Sequence, residues 1–259
     1  PEAAATPQHR GARMTAAEAL ERLRSVADRE HAAVLARFFK TGPGEYGEGD
    51  VFLGIRVPVM RKVAKECARL ALPELGSLLH CEFHEARTLA LVIFVSQSEK
   101  GDEAAKKQIY DLYLANTRWI NNWDLVDVSA PQIVGGYLER RSRKPLDRLA
   151  KSASLWERRI SIVATHWLIR HGEFTDTLRI AAKLLADQED LIHKAVGWML
   201  REVGKRDVAA LEAFLAEHGQ VMPRTMLRYA IERFPETKRR AYLKGTVPSA
   251  KRRCERPKK

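Results

Sequence analysis

Apolar residues recur at helical spacing through most of the chain. The stretches "AAEALERLRSVA", "HAAVLARFF", "VMRKVAKECARLAL", "ARTLALVIFVSQ" and "LEAFLAEH" each put their large side chains on one face at a period of 3.6. Strand-like alternation is confined to "VFLGIRV", residues 51–57, and short breaks such as "HGEFTD" and "VGKRD" separate the helical segments. The pattern predicts an all-α chain. Residues 1–13 and 246–259 lack this periodicity and read as a flexible N-terminal tail and a basic C-terminal tail around one helical domain, residues 14–245.

Four of the helical segments superpose. They start "HEARTLALVIF" at His84, "INNWDLVDVSA" at Ile120, "WERRISIVATH" at Trp156 and "IHKAVGWMLRE" at Ile192, each 36 residues after the last. A period of that length holds one helix–turn–helix pair, so a stacked solenoid is expected. Eight residues into each segment stand Val92, Val128, Ala164 and Leu200, all apolar, and these are expected to pack inward. Three residues in stand Arg87, Trp123, Arg159 and Ala195, about 140° round a helix from the first set. Arg87, Trp123 and Arg159, with Asp127 and Trp198 nearby, are therefore expected on the inner, concave face, where solenoids bind ligands.

Charge changes the picture. Forty-five Lys and Arg against 33 Asp and Glu give a formal net charge of +12, which makes a polyanion such as nucleic acid the leading partner. A charge spread all round a basic protein is the alternative. Hydrophobic residues at 45% and charged residues at 30% are those of an ordinary folded chain, and no apolar run is long enough to span a bilayer. No membrane association or secretion is expected. Three scattered cysteines, Cys67, Cys81 and Cys254, none in CxxC spacing, suit a reducing cytoplasm better than a disulfide framework.

The segment "TRWINNWDLVD" carries the candidate chemistry. Pro131 lies four residues beyond Asp127 and cannot donate to the Asp127 carbonyl, so a kink or break is expected there that turns the carboxylate outward. The alternative is that Asp127 merely caps the segment after the kink. Trp156 and Trp167 fall on packing faces; for Trp119 the pattern leaves both packing and ligand contact open. Asp124 is either an exposed helix charge or a partner of the site. Arg158, Arg170 and Lys194 are either phosphate contacts or solvated charges. "HCEFH" sets His80 and His84 four apart beside Cys81 without a third ligand, and "GPGEYGEGD" lacks the Lys-Ser/Thr of a phosphate-binding loop. Neither metal nor cofactor is expected.

"NNWDLVD", "LWERRISIV" and "KAVGWMLRE", in this order and spacing, resemble the AlkD-like family of DNA glycosylases, which are built from HEAT-like repeats; the likeness runs from about Ala36 to about Phe234. The resemblance implies a curved superhelix with a basic concave face that excises cationic N3- or N7-alkylated purines from double-stranded DNA. It also implies little or no base flipping; a monomer is expected because a solenoid that grips DNA needs no second subunit. It matches Asp127 to the catalytic aspartate, Trp123 and Trp198 to the tryptophan pair, and Arg159 to a DNA-contacting arginine. Arg158, Lys194 and Arg87 join Arg159 as expected DNA contacts. A family tyrosine near the N-terminus is Phe38 here, which keeps an aromatic surface toward DNA without the hydroxyl. Two other functions fit the repeats: a non-catalytic binder of unusual DNA structures, and a protein-binding scaffold.

Overall fold

A computed structural model describes residues 14–246. The two expected tails lie outside this range, apart from Thr246. The described chain is all-α and made of helical repeats, and it falls into two compact units, Pro1–Gln97 and Ser98–Lys259.

The first unit contains α1 (Ala16–Arg24), α2 (Arg29–Phe38), α3 (Val57–Glu66), α4 (Leu72–Leu79) and most of α5 (His84–Lys100). Thr15 and Glu18 close a capping box on α1. The α1 backbone amide of Ala16 donates to Glu74 on α4 at 2.6 Å, and Arg22 pairs with Glu66 on α3 at 2.7 Å. Residues 51–57 do not form a strand. Among the described residues the one β interaction is an isolated parallel bridge between Val51 and Phe83. The amides that a sheet partner would take instead donate to a side chain: Leu53, Gly54 and Ile55 all bond the buried carboxylate of Glu85, at 2.8, 2.8 and 3.1 Å. The glycine-rich segment before them forms turns, as its composition predicts.

The second unit runs through α6 (Glu103–Ala115), a 3₁₀ turn (Thr117–Trp119), α7 (Trp123–Ala130), a π-helical turn (Pro131–Gly135) and α8 (Gly136–Leu138). It continues with α9 (Lys144–Leu149), α10 (Leu155–Val163), α11 (Thr165–Arg170), α12 (Thr175–Lys183), α13 (Asp190–Gly204), α14 (Val208–His218), α15 (Arg224–Ala230) and α16 (Glu236–Leu243). Helix α10 packs against both α7 and α13, and α13 packs most extensively against α15. Leu125, Val126, Ile160, Ile162, Ile192, Val196, Met199 and Leu200 are withdrawn from solvent along these contacts. Each such side chain contributes about 1.5–3 kcal/mol of burial.

Pro131 acts differently from the expected break. The backbone stays right-handed through Ala130 (φ −59°, ψ −39°) and Pro131 (φ −58°, ψ −50°) while the ladder widens into the π turn. A π turn bonds five residues apart, which carries the ladder past the donor that proline lacks.

The face assignment also needs correction. Ala164 and Leu200 are buried as expected, but Val92 is half-buried and Val128 is 37% exposed. Of the three residues of the other set expected on the open side, Arg87 and Arg159 are buried, and only Trp123 stays half-exposed. Two physical causes account for this. Stacked helices are covered on more than one side, so their buried arc is wider than one stripe. The second helix of the series also begins at Trp123 rather than Ile120, which rotates its faces relative to the 36-residue register.

Gly197 shows how tight one of these contacts is. A Cβ there would lie 2.5 Å from the Met226 carbonyl oxygen and 2.5 Å from the Tyr229 Cβ, both on α15. Gly197→Ala is expected to cost about 2 kcal/mol by overpacking α13 against α15. Urea unfolding of the full chain measures this, and an unchanged midpoint would show that α15 gives way freely.

Candidate functional site

Asp127 sits one turn into α7 and is met by Arg159 from α10. The guanidinium is bidentate: Nε donates to Oδ1 at 3.0 Å and Nη2 to Oδ2 at 2.9 Å. Its third arm, Nη1, donates to the backbone carbonyl of Leu191 at the start of α13, at 2.6 Å. One side chain thus joins three consecutive members of the repeat series. The Arg159 side chain is 5% exposed and that of Asp127 20%.

Burial pushes the Asp127 carboxyl above the usual aspartate range, the Arg159 charge and hydrogen bonds oppose that shift, and the nearby Asp124 charge adds to it. Tyr113 on α6 is fully buried and shares a 3.1 Å hydrogen bond with Ser129 on α7. Burial holds its hydroxyl far above the ordinary tyrosine range, and the Asp127 charge works in the same direction.

The entry to α7 is fixed by two buried residues, Ile120 and Asn122; the Asn122 side-chain oxygen accepts from the Trp123 amide at 2.8 Å. Trp123 is therefore the first residue of the helix, one turn before Asp127, and half-exposed. Trp198 is half-exposed on α13, with its ring 5.6 Å from the imidazole of His166 on α11. Burial lowers the His166 pKa and the Arg170, Arg206 and Lys205 charges lower it further, with Glu202 opposing. The ring next to Trp198 is thus biased toward its neutral form.

The expected DNA contacts divide. Arg87 lies in the first unit and is buried, bonded to Asp50, which also receives His84 at 3.0 Å. It is not a surface group, because a buried carboxylate claims it. Arg159 is likewise bound to protein rather than held open. Arg158 is partly buried, paired with Asp187 at 2.6 Å and donating to the carbonyls of Ser152 and Ala153 at 3.1 and 2.9 Å. Lys194 keeps a more accessible ammonium, in an i,i+4 pair with Asp190 at 2.7 Å. Phe38, at the end of α2 in the first unit, is 62% exposed and meets Phe39 edge-on at 5.1 Å.

Trp156 and Trp167 are both half-buried, and Trp167 lies 5.0 Å from His171. The Arg118 guanidinium lies 5.0 Å over the Trp119 ring. His84 of the "HCEFH" stretch is spent on Asp50, and among the described residues no group of three His, Cys, Asp or Glu could hold a metal. No described helix is long and apolar enough to cross a membrane. Sequence spacing does not flag His166, Tyr113 or the Leu191 carbonyl, because each acts through a contact between helices.

A family model described as DNA alkylation repair enzyme matches residues 19–234. A solved structure described as a predicted DNA alkylation repair enzyme from Enterococcus faecalis superposes with a TM-score of 0.61 at 16% sequence identity, covering 81% of this chain and 97% of that one. At that identity the likeness concerns the fold. No curated protein matches the chain.

Proposed function

The chain belongs to the family of DNA alkylation repair enzymes, and from that premise we propose that it is a monofunctional glycosylase that hydrolyses the N-glycosidic bond of cationic N3- or N7-alkylated purines in duplex DNA. The observation that carries this reading is the Asp127 carboxylate. It is paired by Arg159, partly open to solvent and one turn from the half-exposed ring of Trp123.

The chemistry suits a single carboxylate. An alkylated purine already bears positive charge and leaves as a neutral base, so its departure needs no general acid, whereas ordinary glycoside hydrolysis uses two carboxyl groups. As the bond breaks, positive charge moves to the deoxyribose. A fixed negative charge beside the sugar stabilises that oxocarbenium-like state, and a carboxylate oxygen accepts a hydrogen bond from the attacking water. Trp123 and Trp198 offer ring faces to the cationic base, each contributing about 0.5–2 kcal/mol. A neutral His166 beside Trp198 adds no repulsion to such a base.

The net charge of +12 favours the phosphate backbone through counterion release. Lys194 is a suitable phosphate ligand, because a surface ion pair such as its bond to Asp190 is weak and exchanges readily. In the first unit, the exposed apolar ring of Phe38 is proposed as a further DNA contact. An open face would let the enzyme act at the exposed sugar, with little or no base flipping.

The test is direct. Purified protein incubated with duplex DNA containing 7-methylguanine is expected to release the free base and leave an intact abasic strand. Binding of that duplex without release of base would overturn the glycosylase reading.

A further inference from the structure

We propose that Arg159 is the positioning residue for Asp127, aiming the carboxylate and keeping it charged, and that it is not a phosphate ligand. This rests on the reading of Asp127 as the reacting carboxylate.

The geometry points this way on three counts. First, the Arg159 side chain is 5% exposed, and three of its donors are committed within the protein, two to Asp127 and one to Leu191. A phosphodiester could take the fork only by displacing a buried carboxylate. Second, the two parallel bonds fix the plane of the carboxylate as well as neutralising it, which a single ammonium cannot do. The lone pairs that remain, one on each oxygen, are therefore held in fixed directions within that plane. Third, the Leu191 bond ties the guanidinium to α13, the helix that carries Trp198. Carboxylate and indole are thereby referenced to the same side chain.

The charged and titratable groups that face Asp127 are Arg159 from α10, Tyr113 from α6 and Asp124 from its own helix. Tyr113 is held in its neutral form by burial, and Asp124 disfavours ionisation of Asp127. Arg159 is thus the cation among them that holds a buried carboxyl in the form the reaction needs. Removing it should move the carboxyl upward, because burial and the Asp124 charge would then act unopposed.

Two variants separate the roles. Arg159→Gln removes the charge, and the low-pH limb of the single-turnover rate of 7-methylguanine release should move up by about one to three pH units. The ¹³Cγ titration midpoint of Asp127 should move with it. Arg159→Lys keeps a charge but loses the fork, so the rate should fall at every pH with a much smaller movement of the limb. In both variants the slope of log K against log salt for duplex binding should equal that of the wild type. A slope reduced by about 0.9, the share of one phosphate, would overturn the proposal. So would a limb and midpoint that stay in place when the charge is removed.

If the wild type releases no base, the glycosylase reading fails, and the ¹³Cγ titration still decides whether Arg159 holds Asp127. If both variants fail to fold, the wild type is titrated with and without saturating duplex. Retention of the Asp127 midpoint and of the Arg159 Nε–H resonance supports the proposal, and their loss on binding DNA overturns it.

Discussion

Asp127→Asn is expected to lower the single-turnover release of 7-methylguanine about 100- to 1,000-fold, the usual effect of removing one preorganised electrostatic stabiliser. Asparagine has nearly the same shape, and its carbonyl oxygen still accepts one of the two Arg159 bonds that Asp127 receives. It carries no charge to set against the developing oxocarbenium ion. Affinity for duplex DNA should hold or rise slightly, because a negative group facing phosphates has been removed. The pH dependence supplies an internal control. In the wild type the rate falls as the carboxyl takes up its proton, and since burial pushes that carboxyl up, the fall should begin above the range of an ordinary surface aspartate. In Asp127→Asn the residual rate should lack that limb. Equal release by wild type and variant at neutral pH would remove the carboxylate from the mechanism.

The helices were legible because each is a local object. "HEARTLALVIF" marks α5, "HGEFTD" spans the gap before α12 and its first two residues, and "VGKRD" spans the last two residues of α13 and the gap before α14. Side-chain direction was legible only in part, because periodicity describes one helix at a time. On that basis Arg87 and Arg159 read as open-face DNA contacts and Arg158 as a phosphate contact or a solvated charge. Each instead meets a carboxylate on another element, respectively Asp50, Asp187 and Asp127. A long side chain can cross to a neighbouring helix and be buried there at acceptable cost once it is paired and hydrogen-bonded, and no spacing rule within one helix predicts that partner. Asp127 and Trp123 stand out as candidates for a different reason, since an acid beside an indole in a basic chain is a local anomaly, whereas Trp198 enters only through the 36-residue register and the family resemblance. Pro131 was legible as an interruption of the ladder, but not as a π turn, since whether the ladder breaks or widens is set by the packing of α6, α8 and α11 around it.

The segment 51–57 shows the same limit and leads to the other large expected effect. Its alternation suits a strand, yet its amides belong to Glu85, a residue some thirty positions later that is buried at the start of α5. Three amides converge on one carboxylate because the chain turns sharply at Gly54, whose φ of +83° is in the left-handed region and whose missing Cβ would lie 2.0 Å from the Asp28 carbonyl oxygen. Glu85→Ala leaves three inward-facing donors without their acceptor, each costing about 1–3 kcal/mol when unsatisfied, so a loss of about 3 kcal/mol or more is expected even if water enters the space. Glu85→Gln should lose less, because its carbonyl oxygen still accepts while its amide group faces a donor. Urea unfolding of the full chain gives the stability change, and hydrogen exchange at the amides of residues 53–55 locates it. Exchange there should accelerate in Glu85→Ala before global unfolding. Unchanged protection of these three amides would mean that something other than the carboxylate holds the turn.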